Sequence, residues 1–301
     1  MNNALETTLL GVTLKNPVIA ASGSFGFGEE YAALFDVSRL GGISGKGLTL
    51  HGSLGNPGLR ICETESGIIN SIGLENPGVE QFVATGCHRM RKLGTAVIAN
   101  LGGHSEEDYL AGARRLNDAD MDILELNISC PNIKGGGISF GTDPCIAARI
   151  VEKVKSVTRF PLLVKLTPAA GDIAAVAAAV EAAGADGVSL VNTFLAMEID
   201  VKKRKPAFQN VYAGLSGPAI LPIALRMVHQ VAHRVSIPVV GMGGIKTAED
   251  ALKFLMAGAS AVQVGTATFQ KPDAMLDIID GLSAYCTENG LNNISEIVGI
   301  I

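Results

Sequence analysis

Along this chain, short apolar runs alternate with longer stretches of helical periodicity from one end to the other. The runs fall at residues 17–22, 42–48, 96–101, 122–128, 162–167, 187–192, 238–243 and 261–265. They are rich in Val, Ile and Leu and lack polar alternation, as expected of parallel strands covered on both faces. Between them, Ser105-Glu106-Glu107-Asp108 and Thr247-Ala248-Glu249-Asp250 read as capping boxes, with Asp where Glu or Gln is usual. Pro144 and Pro218 read as first-turn prolines of helices. Ala183-Gly184-Ala185-Asp186-Gly187-Val188 echoes Ala257-Gly258-Ala259-Ser260-Ala261-Val262; in both, a Gly ends a helix and a strand follows at once. Eight such units predict an α/β fold, a (β/α)8 TIM barrel. A doubly wound sheet is the alternative, but no G-x-G-x-x-G opens a helix.

Two segments interrupt the pattern. Residues 49–77 carry extra β-like runs, and residues 195–217 contain Lys202-Lys203-Arg204-Lys205. In a barrel both are insertions on the C-terminal face, where active sites are built. The basic run reads as a solvated loop. No linker divides the chain, so residues 1–301 are expected to form one domain.

Composition narrows the function classes. The 301 residues are 48% hydrophobic, enough for one large core, and the net charge of −5 gives no sign of a nucleic-acid or membrane surface. Residues 1–8 lack a basic region followed by an apolar run, and the Ala-rich stretch 173–183, which carries Glu181, is too short and weakly apolar to span a bilayer. A cytoplasmic protein is expected. Cys62, Cys87, Cys130, Cys145 and Cys286 are odd in number, widely spaced and without a C-x-x-C pair, which argues against a disulfide framework, a zinc ribbon or a bound cluster. His229 and His233 stand four apart on a helix but have no carboxylate partner in sequence, so no metal site is expected.

The candidate chemistry lies at the run ends. Asn127-Ile128-Ser129-Cys130-Pro131-Asn132 follows the fourth run and precedes Gly135, Gly136 and Gly137. Its thiol could move a proton or act as a nucleophile, and its asparagines offer donors and acceptors to a planar amide-like ligand. A turn holding a small buried cysteine is the competing reading of this hexapeptide alone. Every other run also carries a polar or glycine position at or near its end: Ser22, Lys46, Asn100, Lys165 within the fifth run, Asn192-Thr193, Gly243-Gly244 and Gly265-Thr266. Interior barrel layers prefer Val, Ile and Leu, so this convergence points to a site. Glycines after the seventh and eighth strands suit phosphate on bare backbone N–H groups. Lysines in apolar strands call for an anion or an electron-rich ligand. A phosphate joined to an electron-accepting ring satisfies both, which is flavin mononucleotide (FMN).

The chain resembles the dihydroorotate dehydrogenases of class 1, and within them the 1B type. The hexapeptide around Cys130 matches that family's active-site segment, with the cysteine of class 1 in place of the serine of class 2. Ala21-Ser22-Gly23-Ser24-Phe25-Gly26-Phe27-Gly28-Glu29-Glu30-Tyr31 and Asn70-Ser71-Ile72-Gly73-Leu74-Glu75-Asn76-Pro77-Gly78 look more like 1B than 1A, and the similarity runs over residues 9–269. The resemblance implies oxidation of (S)-dihydroorotate to orotate in pyrimidine synthesis, with Cys130 as general base; the glycine-rich residues 134–140 read as a lid that would shield it. It implies a substrate site of Lys46, Asn70, Ser71, Ile72, Gly73, Leu74, Asn127, Asn192 and Thr193, with Asn132 assisting. It places FMN on Ser22, Lys46, Gly47, Asn100, Asn127, Lys165, Val191, Gly217, Gly243, Gly244, Gly265 and Thr266. It also implies a partner subunit carrying FAD and a [2Fe-2S] cluster that passes electrons to NAD+, in a heterotetramer built on a homodimer of this chain.

Alternatives are a 1A-type enzyme using fumarate, a dihydropyrimidine or dihydrouridine reductase, a flavin-free isomerase or aldolase with Lys165 as a Schiff-base lysine, and a silent scaffold.

Overall fold

The structure, a computed structural model, describes residues 4–129 and 138–301. Eight parallel strands close in chain order: β1 (Val18–Ala20), β2 (Gly42–Ser44), β3 (Ala96–Leu101), β4 (Ile123–Asn127), β5 (Leu162–Lys165), β6 (Gly187–Leu190), β7 (Val239–Met242) and β8 (Ala261–Val264), which pairs back to β1. This is the predicted barrel. Each strand lies inside an apolar run, and most of the polar residues at the run ends fall just past the strands. Lys46, read as lying in a strand, sits two residues beyond β2.

Alternation along β4 turns Ile123, Glu125 and Asn127 inward and Leu124 and Leu126 towards the helices. The lower interior layer is apolar as expected, with Ile19, Ile98, Ile123, Leu163, Val240 and Ala261 packed together. A hairpin that the sequence reading missed, Thr7–Leu9 with Val12–Leu14, plugs this end by inserting Leu9 and Leu14. Each leucine buried in this way contributes about 1.5–3 kcal/mol. The layer above departs from the expectation: Ser44, Asn100, Glu125, Lys165, Ser189 and Gln263 are all buried there.

The helix starts follow from their caps. Asp143 accepts from the N–H groups of Cys145 and Ile146 and precedes Pro144, as predicted. Thr247 and Asp250 form a full capping box. Ser105 is half of one, because Asp108 accepts from the N–H of His104 rather than of Ser105. Pro218 opens a 3-10 turn, Pro218–Ile220, and the α-helix Leu221–Ala232 starts after it with Pro222 in its own first turn. A second proline four residues on takes the first-turn position instead.

The two interrupting segments meet in one antiparallel sheet, ordered Phe194–Met197, Tyr212–Ser216, Gly67–Asn70 and Ile61–Thr64. Ile69, Phe208 and Ala213 form its small core. The basic run lies in an exposed turn where Lys203 pairs with Asp200 at 2.8 Å, an exposed contact worth at most about 1 kcal/mol. Among the described residues, no helix is long and apolar enough to cross a membrane.

Candidate active site

At the C-terminal mouth of the barrel the strand ends surround one cavity. Ser22, Lys46 and Gly47 line it from the ends of β1 and β2, and Val191, Asn192 and Thr193 from β6. Asn127 and Lys165 form part of its floor, while Asn70, Ile72 and Leu74 reach it from the insertion. Gly217, Gly243, Gly244, Gly265 and Thr266 close the far corner. The structure therefore brings together nearly all the residues singled out in the sequence. Ser71, Gly73 and Asn100 lie behind the lining. Ser71 is buried and accepts from the side-chain amides of Asn56 and Asn210. Gly73, at φ +73°, packs closely against Asn56, and Asn100 sits beneath Asn127. Cys130, Asn132 and most of the segment read as a lid lie outside the described residues.

The insertion is fastened to the barrel at this corner. Thr266 Oγ1 donates to Ser216 Oγ at 2.9 Å. Gly217 takes φ +102°, and a Cβ there would stand 2.7 Å from the Cα of Gly67. Both the conformation and the contact demand glycine. Gly217→Ala is expected to cost about 1–3 kcal/mol of stability through backbone strain, read as a melting temperature several degrees lower; an unchanged melting temperature would contradict this packing.

Beneath the cavity lies an anion that the sequence reading did not single out. Glu125 is fully buried. Its Oε2 accepts from Ser44 Oγ at 2.6 Å and Asn100 Nδ2 at 2.7 Å. Its Oε1 accepts from Ser189 Oγ and Gln263 Nε2, both at 2.8 Å. Burial pushes this carboxyl up, but the charge of Lys165 and the bonds from Ser44, Asn100 and Ser189 outweigh it and hold the group below the ordinary carboxylate range. Glu125 is therefore ionised at neutral pH and can only accept.

That constraint propagates. With Asn100 donating to Glu125, its Oδ1 accepts from Asn127 Nδ2 at 3.2 Å. Asn127 Oδ1 then accepts from Ser129 Oγ at 2.7 Å and Ser129 N at 3.2 Å. Asn192 Nδ2 donates to Ser129 Oγ at 2.8 Å. Tyr109 Oη holds the Asn127 carbonyl at 2.8 Å. The chain leading into Cys130 is thus tied to the barrel floor on both sides.

Lys165 is only 5% exposed, and among the described residues its ammonium has no hydrogen-bond acceptor and no carboxylate within 4 Å. It lines the cavity. A nearly buried cation without a contacting partner fits the electron-rich edge of a ligand. The glycine corner opposite leaves backbone free to approach a phosphate. Together these residues fit a flavin mononucleotide: a cation for the ring and a bare-backbone corner for the phosphate.

The comparisons agree with this geometry. Residues 4–285 match the family described as dihydroorotate dehydrogenase. A protein of Alkaliphilus metalliredigens (strain QYMF), the dihydroorotate dehydrogenase B (NAD(+)) catalytic subunit, is 50% identical over 295 residues, covering 98% of each chain. The proteins of that name from Petrotoga mobilis and Caldicellulosiruptor saccharolyticus are each 50% identical, over 296 and 297 residues, covering 98% and 99% of this chain and 99% of each relative.

Proposed function

The chain belongs to the dihydroorotate dehydrogenase family, and from that premise we propose that it oxidises (S)-dihydroorotate to orotate in pyrimidine synthesis, using bound FMN. The observation that carries this reading is the presence, on one cavity, of a nearly buried Lys165 that makes no hydrogen bond or ion pair among the described residues and of a glycine corner. Ser22, Gly47 and Val191 would flank the flavin, Gly217, Gly243, Gly244, Gly265 and Thr266 its phosphate, and Lys165 the ring edge that gains negative charge. Bound FMN would supply the hydride acceptor for oxidation of the substrate at its carboxyl-bearing carbon.

The remaining work belongs to the chain. Lys46, Asn70, Asn127, Asn192 and Thr193 offer donors to the carboxylate and carbonyls of the pyrimidine and fix its orientation. Ile72 and Leu74 exclude water from its ring. Cys130 removes the proton from the ring carbon next to the carboxyl-bearing one. Ser129, held by Asn127 and Asn192, is the anchor from which Cys130 extends. A partner subunit carrying FAD and a [2Fe-2S] cluster would supply the route for electrons to NAD+. The relatives' names, which specify NAD(+) and a catalytic subunit, support that division of labour.

The test is chromophore extraction. The purified chain is expected to be yellow and to release one FMN per chain on denaturation. A colourless protein that takes up no added FMN would overturn the reading and favour a phosphosugar isomerase or aldolase.

A further inference from the structure

Glu125 does not itself line the cavity but bonds directly to Gln263, which does, and it receives four hydrogen bonds from four different strands, β2, β3, β6 and β8. Stability does not account for it. Replacing a buried charge network by apolar side chains of similar volume is often neutral or stabilising, and this is the interior layer of a barrel, where Val, Ile and Leu serve well. A permanent anion under a ligand cavity acts instead on the charge and orientation of what stands above it.

We propose that Glu125 is a positioning residue that sets the polarity of the site floor: it aims Asn100 and, through it, Asn127, and it counters the cation of Lys165, thereby lowering the reduction potential of the bound flavin. The inference rests on the flavin reading. Its direction follows from charge. Reduction adds negative charge to the flavin, Lys165 favours that addition, and the fixed negative charge of Glu125 opposes it. With the anion in place, the cation orients and binds without making the reduced cofactor so stable that it retains its electrons.

Glu125→Gln isolates the charge from the hydrogen bonding. A glutamine oxygen still accepts from Ser44 and Asn100. Its amide donates to Gln263 once that side chain turns its Oε1, the buried polar side-chain atom left without a partner among the described residues. Ser189→Ala acts in the opposite sense, because it strips a screening dipole from the carboxylate and leaves more of its charge bare.

The measurement is the midpoint potential of FMN on the full chain, taken spectroscopically against reference dyes without substrate. The variant E125Q is expected to bind reduced relative to oxidised flavin at least tenfold better than wild type, a positive shift of about 30 mV for a two-electron couple. S189A is expected to shift negatively. An FMN-loaded E125Q at the wild-type potential overturns the proposal, as does a loss of fold in E125Q together with S189A unmoved or shifted positively. A wild-type chain that binds no FMN overturns the flavin reading itself, which the extraction experiment detects separately.

Discussion

Replacing Cys130 by serine is expected to slow reduction of the flavin by dihydroorotate about 10²–10⁴-fold at pH 7, the usual contribution of a general base, while leaving FMN and substrate bound. A thiol gives up its proton, and so takes one from substrate as thiolate, far more readily than an aliphatic hydroxyl, so serine at this position is a much weaker base. Binding survives because the groups that hold the ligands are elsewhere: the amides of Asn127 and Asn192 and the cation of Lys165 line the cavity independently of residue 130. Anaerobic stopped-flow separates the two effects. Undiminished reduction by C130S would remove Cys130 from the mechanism.

Lys165→Ala is expected to lower turnover about 10²–10³-fold, the range seen when one electrostatic stabiliser of developing charge is removed, with flavin still bound through the corner at Gly243 and Gly244. The side chain is 5% exposed and makes no hydrogen bond or ion pair among the described residues, so its charge acts both on Glu125 beneath it and on the cavity it lines. A second consequence follows for Glu125. The charge of Lys165 is the foremost influence holding that buried carboxyl down against its own desolvation. Without it the carboxyl shifts upward, and the chain of amides from Asn100 to Asn192 loses part of its fixed orientation. Steady-state kinetics on an FMN-loaded variant decides the matter; normal turnover would contradict the role.

Much of this architecture was legible in the sequence because parallel strands covered on both faces leave a strong signal. The eight apolar runs contain all eight barrel strands, and the polar residues at their ends, Asn100 excepted, line one mouth. What escaped has physical reasons. The hairpin carrying Leu9 and Leu14 has strands of three residues, too short to display alternation. Glu125 was hidden inside the apolar run 122–128, where one charged residue among leucines and isoleucines reads as an interruption; its partners Ser44, Ser189 and Gln263 lie on three other strands, so only the closed barrel reveals them. The insertions were seen as extra β-like runs, but their union into one sheet depends on pairing Gly214 with both Asn70 and Leu195, far apart in sequence. Ser71 was singled out as part of a contiguous motif, while local geometry turns its side chain to Asn56 and Asn210 behind the wall.

The most direct measurement of the central claim is anaerobic addition of dihydroorotate to the purified chain while flavin absorbance is followed near ~450 nm, the cofactor's own signature. Rapid bleaching, with no reoxidation by NAD+ or fumarate until an electron-transfer partner is supplied, is the expected result. A yellow protein that does not bleach would contradict the assignment of dihydroorotate as substrate.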